Sequence, residues 1–168
     1  MGKWLVLALV TLVAIVGRAA DNSDRASQQR RHGNRRAQPS AIIAGNVTIN
    51  ELDTDTHEGV NDTAEFIELY DGGVGNHDLS GLTLVLYRGD ESVVYLAESL
   101  DGEATDALGY YMIGAVGMPG VDFSLAIGTI RDDQGAVAIY AAPEGQFPIN
   151  SPVTTEDLVD ALVYDQQG

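Results

Sequence analysis

Residues 82–87 read LTLVLY, with Leu82, Leu84 and Leu86 in one phase and Thr83, Val85 and Tyr87 in the other. Alternation of this kind is the signature of an extended strand packed on one side. The stretch AVAIY repeats it, with Val137 and Ile139 in one phase and Ala136, Ala138 and Tyr140 in the other. Similar short runs rich in Val, Ile, Leu and Tyr predict strands over 47–52, 65–70, 82–88, 93–98, 110–113, 136–140 and 158–164. β-Branched and aromatic residues favour strand over helix in these runs. No segment keeps a 3.6-residue apolar period, and the nearest approach is one helical turn at 123–127. The 19 glycines gather between the runs, where turns need them. Seven short strands with regular turn signals predict an all-β domain of the β-sandwich type.

The apolar pattern is interrupted by two carboxylates, Glu65 and Glu68, in the stretch AEFIELYDGG. On a helix, residues three apart share a face, but in a strand they point to opposite faces. One strand therefore cannot aim both at one substrate atom, as a glycosidase-type pair would require. Glu68 shares its phase with Phe66 and Tyr70, which predicts a partly buried position between aromatic neighbours and a scaffold role. Its expected partners are the backbone amides of the loop DGGVGN or the guanidinium of Arg88, because a buried carboxylate needs hydrogen bonds or a cation.

Charge divides the chain sharply. The net charge is -16, yet seven of the nine basic residues lie at or before Arg36, leaving only Arg88 and Arg131 beyond it. The acidic body repels nucleic acid and anionic lipid, whose binding rests on Lys and Arg. The chain opens MGKWLVLALVTLVAIVGRAA, with a positive Lys3, an apolar core over 5–16 and small residues at Gly17 and Ala19. The apolar core is shorter than the ~20 residues that span a bilayer. It predicts a secretory signal peptide over 1–19, so membrane contact is expected only if the leader stays uncleaved. Residues 20–44 follow as a basic, disordered linker containing RRHGNRR, and 45–168 form the folded body. The chain has no cysteine, which removes disulfides, Cys-based zinc sites and thiol chemistry.

Six pieces in order, INELD (49–53), AEFIELYDGG (64–73), DLSGLTLVLY (78–87), GYYMIG (109–114), GAVAIY (135–140) and LVDALVYD (158–165), resemble the lamin-tail domain family. The resemblance spans nearly the whole body. It implies an immunoglobulin-like β-sandwich, a fold that the family carries both in nuclear lamins and in secreted or surface proteins, often beside nuclease or phosphatase domains. The family often has Trp after LSG, where this chain has Leu82. It implies no catalytic residues.

Other constellations are sparse. The loop DTDTHEGVNDTAE offers Asp53, Asp55, Glu58 and Asp62 as oxygen ligands for calcium, but Glu58 and Ala64 occupy the positions where an EF-hand has its turn Gly and its bidentate Glu. His32, His57 and His77 are scattered, and Ser80 lies outside any nucleophile elbow. Two sequons, at Asn46 and Asn61, are acceptors for N-glycans in a secreted chain. The expected function is a secreted, non-enzymatic binding or adhesion module with a protein or glycan partner and no required cofactor. Two alternatives are an accessory domain of a larger secreted hydrolase and an acidic, calcium-associated matrix protein.

Overall fold

A computed structural model describes residues 47–54 and 63–165. Within them are eight strands: β1 (Thr48–Asp53), β2 (Phe66–Tyr70), β3 (Thr83–Arg88), β4 (Val93–Ser99), β5 (Tyr110–Ala115), β6 (Phe123–Leu125), β7 (Gln134–Tyr140) and β8 (Leu158–Asp165). A 3-10 turn, Glu144–Gln146, lies between β7 and β8. The strands form two four-stranded sheets, ordered β1-β2-β5-β6 and β4-β3-β7-β8. All neighbours are antiparallel except β5 and β6, which are parallel. The protein is an all-β sandwich, as the alternation predicts.

The inward phases of both sheets meet in one core. β2 contributes Ile67 and Leu69, β5 Tyr111 and Ile113, β3 Leu84 and Leu86, and β7 Val137 and Ile139. Direct cross-strand pairing of Leu84 with Ile139 and Leu86 with Val137 keeps these side chains on one face. Leu79, Leu82 and Leu100 close one end of the core, and Leu125 and Ile130 also join it. Leu82, just before β3, is itself fully buried in this core.

The pattern departs from expectation at two places. The first is β6: residues 123–125 form a strand that the sequence does not predict, within the stretch that comes nearest to a helical turn. Three residues are too few to show a period, and the decision comes from β5, which lies alongside. The Met112 amide donates to the Asp122 carboxylate (2.8 Å), the Asp122 amide donates to the Met112 carbonyl, and the Val116 amide donates to Leu125. Extended pairing also lets Leu125 drop into the core.

The second is β3. It is buried on both faces, not one: every residue from Leu82 to Tyr87 is buried. Its outward phase belongs to a second apolar cluster of Val85, Tyr87, Val94, Ala138, Tyr140, Ala142 and Phe147. The connection from β7 to β8 supplies the covering layer. Thr83 donates to the Ala142 carbonyl (2.7 Å), Phe147 packs against the Tyr140 ring at 4.5 Å, and the Val94 amide donates to Ser151. The Tyr87 hydroxyl donates to that of Tyr140 (2.8 Å), which in turn donates to the Thr154 carbonyl (2.7 Å). Burial raises the pKa of both phenols, so they stay neutral in this chain of hydrogen bonds.

Candidate functional site

Two loops meet at one end of the sandwich: 71–82, between β2 and β3, and 100–109, between β4 and β5. Asp71 follows directly on β2, and the sequence DGGVG after it has glycines where a tight turn needs them. Its side chain is fully buried. One carboxylate oxygen accepts the amides of Gly73 and Val74 (both 2.9 Å), and the other accepts the Gly75 amide (3.0 Å) and the Thr105 hydroxyl (2.7 Å). Burial alone would raise the Asp71 pKa, but these four hydrogen bonds to the charged form outweigh it and hold the carboxyl below the usual range.

The second loop is tied in at several more points. The Asp71 amide donates to Gly109, the Asn76 amide to Asp106, the Leu79 amide to Glu103 and the Thr105 amide to His77. Asp106 caps its own turn, accepting the amides of Leu108 (2.8 Å) and Tyr110 (2.9 Å). Two glycines let the loops approach this closely. Gly109 has φ +96°, and a Cβ there would strike the Asp71 carboxylate. Gly75 has φ +73°, and a Cβ there would lie 2.5 Å from the Ala107 carbonyl oxygen.

This rigid frame presents apolar side chains to solvent. Val74 is 63% exposed and Leu108 70%. Beside them the partly exposed Tyr110 ring stacks on Tyr70 at 4.8 Å. A loop backbone pinned by a buried carboxylate is already ordered before it meets a partner, so only the exposed side chains remain to be fixed.

The residues singled out in the sequence fall elsewhere. Glu65 and Glu68 do point to opposite sides, but the fully buried one is Glu65. It accepts the amides of Thr129 (2.9 Å) and Ile130 (3.1 Å), anchoring the loop that leads into β7. Glu68 is half-buried on the outer face of β2, as its aromatic neighbours predict, but its partner is the Asn50 side chain, which donates to it (2.6 Å). The loop amides expected to serve Glu68 go to Asp71, which lies nearer to them along the chain. Nor does Arg88 meet Glu68. It sits in the other sheet and pairs with Glu91 (3.2 Å) at the surface. The signal that locates the true anchor is the Asp-Gly-Gly turn, since Asp bonds the amides two and three residues on.

Asp53 ends β1, half-buried, and pairs in register with Phe66. Asp55, Glu58 and Asp62 lie outside the described residues, as do both sequon asparagines, Asn46 and Asn61, and the leader and linker. Among the described residues no three His, Asp or Glu side chains are grouped as metal ligands. His77 donates its backbone amide to Thr105 (2.8 Å), while its Nε2 is shielded from solvent without a hydrogen-bond partner.

Both described arginines are occupied. Arg131 grips Asp133 through two nitrogens (3.0 and 2.6 Å), which depresses the Asp133 pKa to about 2. The surface that remains is strongly acidic. No helix among the described residues is long and apolar enough to cross a membrane. Against known proteins, the chain matches no family model and no curated sequence.

Proposed function

We propose that this chain is a secreted, non-enzymatic binding module. Its body is an immunoglobulin-like sandwich of the lamin-tail type, and its working surface is the paired-loop end bearing Val74, Leu108 and Tyr110. One observation carries this reading. Large apolar side chains stand out in solvent on loops that a fully buried carboxylate holds in a single arrangement. Val74 and Leu108 are not scattered single residues: they flank Gly75 and Ala107, which touch where the two loops meet, so their exposure is a shared apolar surface. Loops fixed on a rigid scaffold are where β-sandwiches carry recognition. Secretion rests on the N-terminal leader, and the lamin-tail assignment on the six ordered sequence pieces. The partner is a protein or glycan; the acidic surface disfavours nucleic acid and anionic lipid.

The test compares the full chain with the Val74→Asp, Leu108→Asp double variant. Each protein is immobilised and exposed to extracellular material from cells that produce it, with and without calcium. Both changes lie at exposed tips, so melting should move little. The variant is expected to lose the proteins or glycans that the parent captures. Equal capture by both proteins refutes the loop end as the working surface. Capture that depends on calcium favours the acidic matrix alternative.

A further inference from the structure

The outer face of the second sheet is covered over only part of its width. Beside the cluster around Val85 and Phe147, an open apolar groove of about 270 Å³ runs along β7 and β8. Its floor is made of small side chains, Ala136, Ala138 and Ala161, and its walls include Tyr140, Leu158 and Val163. Pairing of Ala138 with Ala161 and of Ala136 with Val163 places these residues on one face. Val163 is 79% exposed, the most exposed large apolar side chain among the described residues. The volume falls just below the range of about 300–1,000 Å³ usual for small-molecule pockets. Two branched aliphatic side chains suit it better than a cofactor.

We propose that the groove is the seat of the chain's own residues 42–44, Ile42, Ile43 and Ala44. Three observations favour this occupant. First, the same sheet face is already covered, next to the groove, by non-regular chain from 141 to 153, so the proposed segment would extend an existing layer. Second, the chain enters the sandwich beside the groove's outer strand: the Ile49 amide, two residues after Val47, donates to the Asp160 carboxylate of β8 (2.8 Å). Asp160 adjoins Ala161 of the groove floor. Val47 is fixed in the core and Thr48 pairs with Tyr70, so the free stretch is the four residues back to Ile43; at about 3.3 Å per extended residue it reaches about 13 Å, more than the ~10 Å spacing of packed layers that it must round at the edge of β8. Third, residues 41–44, AIIA, form an uncharged apolar run in a segment that is otherwise polar from Asp21 to Ser40. A second copy of the chain is the poorer occupant. It would bring one acidic body against another, with both described arginines already paired.

The absence of cysteine makes the test clean. In the full chain, Ile43→Cys is combined with Ala161→Cys, and separately, as control, with Asn50→Cys, which is exposed on the outer face of β1 within equal reach of the tether. Both are treated with oxidised glutathione, which accepts the two electrons of disulfide formation. The groove pair is expected to close within one molecule about tenfold faster than the control, because docking raises the local concentration above that of a free tether. Equal rates, or a crosslink between two molecules, overturn the proposal. The second measurement needs no new side chain in the groove. Ile42→Asp, Ile43→Asp should shift the methyl NMR signals of Ala161 and Val163 and leave Leu69, in the opposite sheet, unmoved. Unchanged groove methyls also overturn it.

Discussion

The outer faces of the two sheets are built from strands of similar length and end in different environments. In β2 the outward residues Phe66, Glu68 and Tyr70 are all half-buried, and a carboxylate sits at the centre of the row. In β3 the outward residues Thr83, Val85 and Tyr87 are all buried, because the β7–β8 connection crosses over them. Alternation reports that a strand has two faces. The polarity of the outward phase reports how many of those faces are covered. FIELY carries a charge there, whereas LTLVLY carries only Thr, Val and Tyr. The second sheet is thus a middle layer over part of its width, and the first sheet is an outer wall.

Mutations across this contrast should scale with coverage. The largest effect is expected in the shared core: Leu84→Ala removes a fully buried side chain and should cost about 3 kcal/mol in urea unfolding. Asp71→Ala comes next, at about 2–3 kcal/mol, since it strands buried amides and the Thr105 hydroxyl. The same carboxyl sets a pH dependence. Its folded pKa lies below the ordinary 3.8, so its contribution is complete above that value and is lost as pH falls through the lower folded value. Acid titration of the melting temperature should show this loss in the parent and a flatter acid limb in Asp71→Asn. Parallel acid limbs in the two proteins would show that Asp71 is not the group responsible.

The comparison of outer faces is sharpest in the next pair. Val85→Ala should cost about 2 kcal/mol, because two methyl groups leave a closed cluster. Glu68→Ala, at the equivalent place in the other sheet, should cost about 0.5 kcal/mol, the loss of one partly exposed hydrogen bond. Equal costs would falsify the claim that one outer face is covered and the other is not. Tyr87→Phe is expected to fall between them, near 1 kcal/mol. It deletes one hydroxyl and leaves the Tyr140 bond to Thr154 in place.

Much of the sandwich was legible in the sequence because seven strands were long enough to show a period of two and were bounded by glycine-rich turns. β6 was not legible, since Phe123, Ser124 and Leu125 form a strand only where β5 offers them partners. The candidate site was less legible still. Glu68 lies in phase between aromatic residues, yet Asp71, three residues on, takes the loop amides, and Glu65 takes those of the loop before β7. A carboxylate inside a strand has its neighbouring amides committed to the ladder. One at a strand end meets loop amides that still need an acceptor. Val74 and Leu108 carry no sequence signal at all, because a lone aliphatic residue in a turn reads the same whether it faces the core or water.

Period and turn chemistry, read along the chain, were enough to establish an all-β body with its inward residues in the right phase. These are local properties, set by alternation of side chains along extended backbone and by the φ that glycine permits. The tertiary structure alone decided which outward faces would be covered, which carboxylates would be buried, and that Phe123–Leu125 would be a strand. Each of those outcomes depends on a partner distant in sequence: the 141–153 crossing for Val85, Thr105 for Asp71, Thr129 and Ile130 for Glu65, and β5 for β6. A hydrogen bond or an apolar contact takes its energy from both of its members, and the chain order names only one of them at a time.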